Sequence, residues 1–117
     1  MADIACSRIE AVMDILGRAW AGAILEAMLG GAARYTEIAR ACPGVSDAVL
    51  SARLRELCDR GLVTRTVNPG PPTAIRYDLT AAGRDVAPVL EALSAFAATH
   101  PEIVAPPPHR AGAANDR

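Results

Sequence analysis

Arginines interleaved with short polar and apolar side chains are the residues whose types and spacing could do chemistry in this sequence. Each of the 12 cationic residues is an arginine. A guanidinium group carries a planar fork of donors that holds a phosphate or a guanine edge with two hydrogen bonds. The candidates for such contacts, taken with the short side chains around them, are Arg34, Ser46, Ala48, Ser51, Ala52, Arg53, Arg55, Arg65 and Arg76.

The distribution of charge places these contacts in the middle of the chain. The net charge of −1 and the pI of about 6.1 count by themselves against a nucleic-acid binder, because phosphate contacts need clustered cations. Residues 34–80, however, carry seven arginines against five acidic residues, whereas the segments on either side are net negative. The small positive excess therefore coincides with the candidate residues.

Other kinds of site find little support in the sequence. His100 and His109 lack acidic or cysteine neighbours at metal-ligand spacing, and Gly30-Gly31 is a helix stop rather than a phosphate loop. The 3 cysteines include no Cys-x-x-Cys pair, which fits a reducing cytoplasm, and no apolar stretch is long enough to span a membrane. We therefore expect no enzyme, no metal site, no cofactor and no membrane partner.

Hydrophobic spacing and turn residues predict the elements that must position the candidates. Helices are expected at residues 9–16, 19–29, 35–41 and 81–98, the last capped by Thr80, with a further helix between Ser46 as its N-cap and Gly61. In that helix the leucines at positions 50, 54 and 57 share a buried face. The opposite face carries Ala48, Ser51, Ala52 and Arg55, and Arg53 lies closer to the buried edge. Residues 62–67 and 74–79 are expected to pair as a hairpin.

The order of these elements predicts a winged helix-turn-helix. The fold class is α+β and mostly helical, with an arm at residues 1–7, the domain at 8–100 and a flexible Pro/Ala-rich tail at 101–117. A helix fits the major groove of double-stranded DNA, and a hairpin beside it can lay an arginine along the backbone or minor groove. The helix after Ser46 is therefore the candidate recognition helix.

Several motifs in the right order resemble those of the HxlR-type regulators, a winged-helix family related to MarR. The segment Arg34-Tyr-Thr-Glu-Ile and the following Pro-Gly-Val-Ser46 resemble the family's helix-turn-helix, and Val49–Leu57 with Gly61-Leu-Val63 resembles its recognition helix and first wing strand. Pro71-Pro72, Tyr77–Gly83, Asp14–Gly17 and Trp20 match further signatures. The resemblance covers roughly residues 6–100.

The resemblance implies a bacterial transcription regulator that binds a near-palindromic operator as a homodimer built from its first and last helices. Cys6 stands where many members carry a cysteine, and some relatives use it to sense oxidants or electrophiles. Arg8 and the start of the first helix could lower its pKa, and an unreactive cysteine is the other interpretation. Ala19 and Asp47-Ala48 depart from the family, which usually has basic residues there.

Several alternatives stay open from the sequence. Arg53 could contact DNA or pair with Glu56 or Asp59, and Arg65 and Arg76 could face each other or the DNA. The protein could be a winged-helix adaptor that binds another protein and no DNA, or a repressor or activator that responds to a small-molecule effector. Trp20, Cys42 and Cys58 are expected to be core residues.

Overall fold

The computed structural model describes the backbone of residues 2–105 and the side chains of residues 7–105. The chain divides into two compact units, Met1–Ala87 and Pro88–Arg117, whose described residues are treated separately. The predicted fold class is confirmed, since the described chain is mostly helical and contains a small two-stranded antiparallel sheet. No helix among the described residues is both long and apolar enough to cross a membrane.

The first unit consists of helices that precede and follow a hairpin. Its elements in chain order are α1 (Ala2–Leu16), α2 (Ala21–Leu29), α3 (Tyr35–Ala41), α4 (Asp47–Asp59), β1 (Val63–Asn68), β2 (Ala74–Leu79) and α5 (Ala81–Arg84). Two antiparallel strands alone bury little, and here the Tyr77 amide also donates a 2.8 Å hydrogen bond to the Ala33 carbonyl. The segment before α3 thereby joins the free edge of β2.

The core of the first unit forms where α2, α3, α4 and β1 meet. The predicted leucine face of α4 is confirmed, since Leu50, Leu54 and Leu57 are at most 2% exposed. They are buried with Ile24, Leu25, Ile38 and Val63. Ser46 is the N-cap of α4 as predicted, and its hydroxyl accepts a hydrogen bond of 3.2 Å from the Val49 amide. Burial on one face and a cap at the start leave the other face of α4 exposed.

Two helix starts differ from the sequence prediction. Helix α1 begins at Ala2, so residues 2–7, which were expected to form an arm, are the first residues of this helix. Helix α2 begins at Ala21 rather than Ala19 because Trp20 adopts a left-handed backbone conformation, with φ at 71°. Such a φ is uncommon for a residue with a large side chain. Residues 17–20 therefore form a corner between α1 and α2, called the α1–α2 corner below.

The helix predicted over residues 81–98 is divided in two. After α5 the chain turns at Asp85 and Val86, and α6 (Ala87–Thr99) begins one residue ahead of Pro88. In the first turn of a helix an amide proton has no helical acceptor, so Pro88 fits there at no cost. Residues 101–104, expected as the start of a flexible tail, instead form a short helix, α7 (Pro101–Val104), in which proline is tolerated at the first helical position. Residues 106–117 of the expected tail lie outside the described residues.

Helix α5 approaches the chain after α4 very closely at Gly83. The Thr80 amide donates to the Leu62 carbonyl at 3.0 Å, and its hydroxyl donates to the Gly61 carbonyl at 2.7 Å. The same hydroxyl accepts from the Gly83 amide at 3.0 Å, which confirms Thr80 as the cap of this helix. A β-carbon on Gly83 would overlap the Leu62 carbonyl oxygen, so only glycine fits.

Candidate nucleic-acid interface

The exposed face of α4 presents short side chains and one arginine. Ser46, Ala48, Ser51 and Arg55 are exposed, and Ala52 is half-buried. Apart from Ser46, the predicted N-cap, these are the residues that the sequence placed opposite the leucine face, and the structure brings them together on that side of α4. Because their side chains are short, another molecule could approach the helix backbone closely, while Arg55 extends beyond them.

Tyr35 is a residue of this surface that the sequence analysis missed. Its hydroxyl lies 3.1 Å from the Asp47 carboxylate oxygen Oδ1, 3.3 Å from the Asp47 carbonyl and 3.5 Å from the Ser51 hydroxyl. Tyr35 thus joins the first residue of α3 to the first turn of α4. The aromatic residue after Arg34 was part of the family motif, but no pattern in the sequence indicated its partners.

Arg65 of the hairpin lies on the same side as Arg55. In the strand register Arg65 is opposite Tyr77, and directly opposed residues of antiparallel strands share a face. Ser51, Leu54, Arg55 and Cys58 of α4, together with Arg65 and Tyr77 of the hairpin, line a groove of about 430 Å³, here called the α4–wing groove. Two guanidinium groups, from two different elements, therefore border one groove.

Arg76 lies on the other face of the hairpin. It is opposite Thr66 in the register and adjacent to Tyr77, and successive residues of a strand point to opposite faces. Its Nε donates to both carboxylate oxygens of Asp78, at 3.0 and 3.1 Å. The alternative in which Arg65 and Arg76 face each other is therefore wrong.

Arg34 also lies outside the α4–wing groove. It is the exposed N-cap of α3, and the amides of Ala33 and Arg34 donate to the Glu37 carboxylate at 2.9 and 3.0 Å. These two backbone hydrogen bonds, first that from Ala33, hold the pKa of Glu37 below its ordinary value, with smaller contributions from the charges of Arg34 and Arg76. The charges of Arg34 and Arg76 thus act on the same carboxylate, that of Glu37.

Arg53 is engaged inside the protein. Its Nε donates to the Ala19 carbonyl at 2.9 Å, and its Nη1 donates to the Glu56 carboxylate at 3.0 Å. Its side chain is only 13% exposed. Of the two alternatives for this residue, the structure shows the pairing with Glu56.

The three cysteines differ in their surroundings. Cys42 is buried, as expected of a core residue, and burial raises the pKa of its thiol. Cys58 is half-buried at the α4–wing groove, and its pKa is raised by burial and by Asp59, with an opposing effect of Arg65. Cys6 belongs to α1, and its side chain lies outside the described residues. Within the described part of the chain, no three histidine, cysteine or acidic side chains cluster as a metal site would require.

Comparison with known proteins decides which family has this arrangement. The family model described as HxlR-like helix-turn-helix matches residues 15–103. The chain belongs to the HxlR-like helix-turn-helix family. Its relative YvaP of Bacillus subtilis, a transcriptional regulator of helix-turn-helix type, is 42% identical over 92 residues, which cover 79% of this chain and 85% of YvaP.

Solved structures of HxlR-like and MarR-type regulators share the fold. The redox regulator HypR in its reduced form superposes with a TM-score of 0.76 at 29% identity, over 83% of this chain and 96% of HypR. Quinone-bound YodB from Bacillus subtilis superposes with a TM-score of 0.67 at 30% identity, over 79% of this chain and 96% of YodB. The resemblance stated from the sequence motifs is confirmed, and the HxlR-like family is one of transcriptional regulators.

Proposed function

We propose that this HxlR-like regulator binds double-stranded DNA as a homodimer, with α4 of each copy in the major groove of one half of a near-palindromic operator. The observation that carries the proposal is the α4–wing groove, where Arg55 of the helix and Arg65 of the hairpin border the same surface. A major groove about 12 Å wide admits one α-helix, and a flanking hairpin then reaches the neighbouring backbone.

The side chains divide into two roles under this proposal. Ala48, Ser51 and Ala52 are short enough to let α4 approach base edges, and Ser51 can both donate and accept hydrogen bonds. Arg55 and Arg65 neutralise phosphates, which supplies affinity and orientation rather than sequence preference. Specificity then depends on the exposed face between Asp47 and Arg55.

The dimer is proposed from the exposed apolar residues on the first and last long helices. On α1, Ile9, Val12 and Met13 recur at helical spacing and are 45–63% exposed. On α6, Val89, Leu93 and Phe96 also recur at helical spacing and are 41–51% exposed. Small domains leave apolar surface uncovered, and a second copy that covers such helical stripes removes it from water.

An Arg55→Ala variant tests the proposed contact surface. An operator is first located by footprinting the wild-type protein on DNA from its own genome. We expect Arg55→Ala to bind this operator about tenfold more weakly, with a salt dependence reduced by about one unit in the log–log slope. Sedimentation should show the same dimer as in the wild type. Unchanged affinity would place Arg55 away from the DNA.

A protein–protein adaptor is the second candidate function. It is favoured by the Asp47 carboxylate, which lies exposed at the start of α4 where a phosphate would approach a helix N-terminus. A salt series separates the two functions, because phosphate contacts weaken steeply as salt rises and an apolar interface hardly responds. Binding of a partner protein together with no salt-dependent DNA binding would favour the adaptor.

A response to oxidants or small electrophiles at Cys6 is proposed as the regulatory input. The support is that one structural neighbour is a redox regulator and another was solved with a bound quinone. The raised pKa values of Cys42 and Cys58 leave less thiolate on those two side chains. We expect a quinone to lower operator binding by the wild type and to leave Cys6→Ser unaffected. Equal loss in both proteins would rule out Cys6 as the sensor.

A non-covalent effector is the remaining regulatory hypothesis, and it is tested in the Cys6→Ser background. A small molecule that lowers operator affinity reversibly there would support it. A compartment that holds DNA and keeps thiols reduced, the cytoplasm, suits each of these proposals.

A further inference from the structure

Arg53 lies in the recognition helix, yet its contacts lead away from the exposed face. The Ala19 carbonyl that it binds belongs to the α1–α2 corner, 34 residues earlier in the chain. In the part of the chain that the structure describes, this carbonyl accepts from the Arg53 side chain and from no backbone amide. The left-handed φ of Trp20 turns the Ala19–Trp20 peptide out of the path of α2, which leaves its oxygen available to Arg53.

The α1–α2 corner touches α4 and its preceding turn at several points. The Trp20 ring lies beside Gly44, where a β-carbon would come within 3.9 Å of it. Glu56, which Arg53 holds at 3.0 Å, also lies 3.5 Å from Arg18 of the corner. Arg60, the C-cap of α4, pairs with Asp14 of α1 at 2.6 Å. These contacts run along the length of the recognition helix.

Burial makes Arg53 the central member of this set. Arg18, Arg60, Glu56 and Asp14 are 40–63% exposed, and ion pairs at such positions contribute little because water and salt screen them. Arg53 is 13% exposed; its Nε donates to the Ala19 carbonyl of the corner, and its Nη1 donates to Glu56 of α4 itself. Glu56 thereby holds the planar guanidinium in the orientation that ties α4 to the corner.

We propose that Arg53 is a positioning residue, which holds the recognition helix against the α1–α2 corner and does not itself contact the operator. The inference rests on the proposed DNA binding by α4. It assigns to Arg53 a role that differs from that of Arg55 two residues later. Since α1 also carries the apolar stripe proposed for the dimer, Arg53 joins the recognition helix to the dimer-forming part of the same unit.

Charge-conserving and charge-removing variants separate positioning from contact. Arg53→Lys keeps the positive charge but offers a single nitrogen, which cannot reach both the Ala19 carbonyl and Glu56 in the geometry of a guanidinium. We expect it to bind the operator about tenfold more weakly, with the wild-type salt slope. A phosphate contact would instead be largely retained by lysine. Arg53→Met should lose at least as much affinity, again without the change in slope expected for Arg55→Ala.

Glu56→Gln should change DNA affinity in opposite directions under the two possible roles of Arg53, positioning and phosphate contact. If Arg53 contacts phosphate, removal of a nearby negative charge should raise or preserve DNA affinity. If Arg53 positions α4, the weaker hold on its guanidinium should lower the affinity severalfold. The Gln side chain keeps a hydrogen-bond acceptor and a similar volume, so the variant is expected to fold.

Trp20 provides a readout that does not depend on DNA. It is the single tryptophan of the chain and forms the α1–α2 corner beside the Arg53 acceptor. We expect its fluorescence emission to shift to longer wavelength in Arg53→Lys and Arg53→Met, because the corner loosens, and to stay unchanged in Arg55→Ala. Circular dichroism should show that these variants keep their helices.

Each outcome of these experiments has a definite meaning. Loss of affinity in Arg53→Lys with unchanged salt slope, together with the Trp20 shift, supports positioning. Wild-type affinity in Arg53→Lys, or a slope reduced by about one in Arg53→Met, overturns it while the proposed DNA binding stands. If the wild-type protein binds no DNA, the proposed function fails first and this inference fails with it. If Arg53→Met does not fold, Arg53→Lys and Glu56→Gln decide.

Discussion

Arg65 and Arg76 lie on opposite faces of the β1–β2 hairpin. Arg65 shares its face with Tyr77 and borders the α4–wing groove with Arg55, whereas Arg76 is bonded to Asp78 on the other side. From composition alone the two arginines are equivalent. Strand register makes one of them a candidate phosphate contact and the other its matched control.

Arg65→Ala and Arg76→Ala should therefore differ in DNA binding. We expect Arg65→Ala to weaken operator binding about tenfold or more, since a hydrogen bond to a charged group contributes about 1.5–3 kcal/mol when it is formed and about 1.4 kcal/mol is a factor of ten. Arg76→Ala should stay within about twofold of the wild type. Fluorescence anisotropy with labelled operator measures both. Equal losses in the two variants would contradict the assignment of faces.

Glu37 should make stability depend on pH in a defined direction. Its pKa is lowered in the folded protein by the amides of Ala33 and Arg34, so the contribution of its carboxylate to stability is complete above the unfolded-state pKa. The contribution is lost as the pH falls through the lowered pKa. Glu37→Gln should thus lower the melting temperature at neutral pH and change it little in strong acid. If Glu37→Gln lowered the melting temperature equally at neutral pH and in strong acid, the Glu37 carboxylate would not be the source of the stabilisation.

Gly83 should tolerate no larger residue. An alanine β-carbon would overlap the Leu62 carbonyl oxygen, which also holds the Thr80 amide. We expect Gly83→Ala to destabilise the fold by about 1–3 kcal/mol in urea unfolding, the usual range for overpacking. Gly70→Ala is the control, since nothing lies within 4 Å of its added carbon. A neutral Gly83→Ala would mean that α5 can move away from Leu62.

A charge placed on the apolar stripe of α6 should disrupt the proposed dimer. Leu93 is 49% exposed, and a buried unpaired carboxylate at a dimer interface would be costly. We expect Leu93→Glu to sediment as a monomer and to lose most operator affinity, because two half-sites are then no longer bound together. Ser94→Glu, at an exposed neighbouring position, is the control. A dimeric Leu93→Glu would place the interface elsewhere.

Sequence periodicity was sufficient to predict those helices of which one face is buried. The leucines of α4 recur every three to four residues, and Ser46 and Thr80 are short hydroxyl side chains ahead of helices, so both the core and the caps could be predicted. The division of the last predicted helix was only partly foreseeable. Pro88 is compatible with a helix start, but no local pattern marks the turn at Asp85 and Val86, which follows the close approach of Gly83 to Leu62.

Contacts between distant parts of the chain could not be predicted in the same way. Arg53 and Arg55 differ by two positions in one helix, and only the tertiary structure shows that the first binds Ala19 while the second stays exposed. The bonds of Tyr35 to Asp47 and Ser51 and the left-handed turn at Trp20 are of the same kind. Local spacing carries no information on such partners.

Chemical protection of operator DNA tests the central claim most directly. Dimethyl sulfate methylates guanine N7, which lies in the major groove, and a bound helix shields it. We predict protection of guanines in two segments whose centres are one helical turn apart, about 10–10.5 base pairs, or a multiple of this, and weaker protection with Arg55→Ala. Specific binding that leaves every guanine N7 reactive, or that protects a single segment, would contradict insertion of α4 from each copy of a dimer.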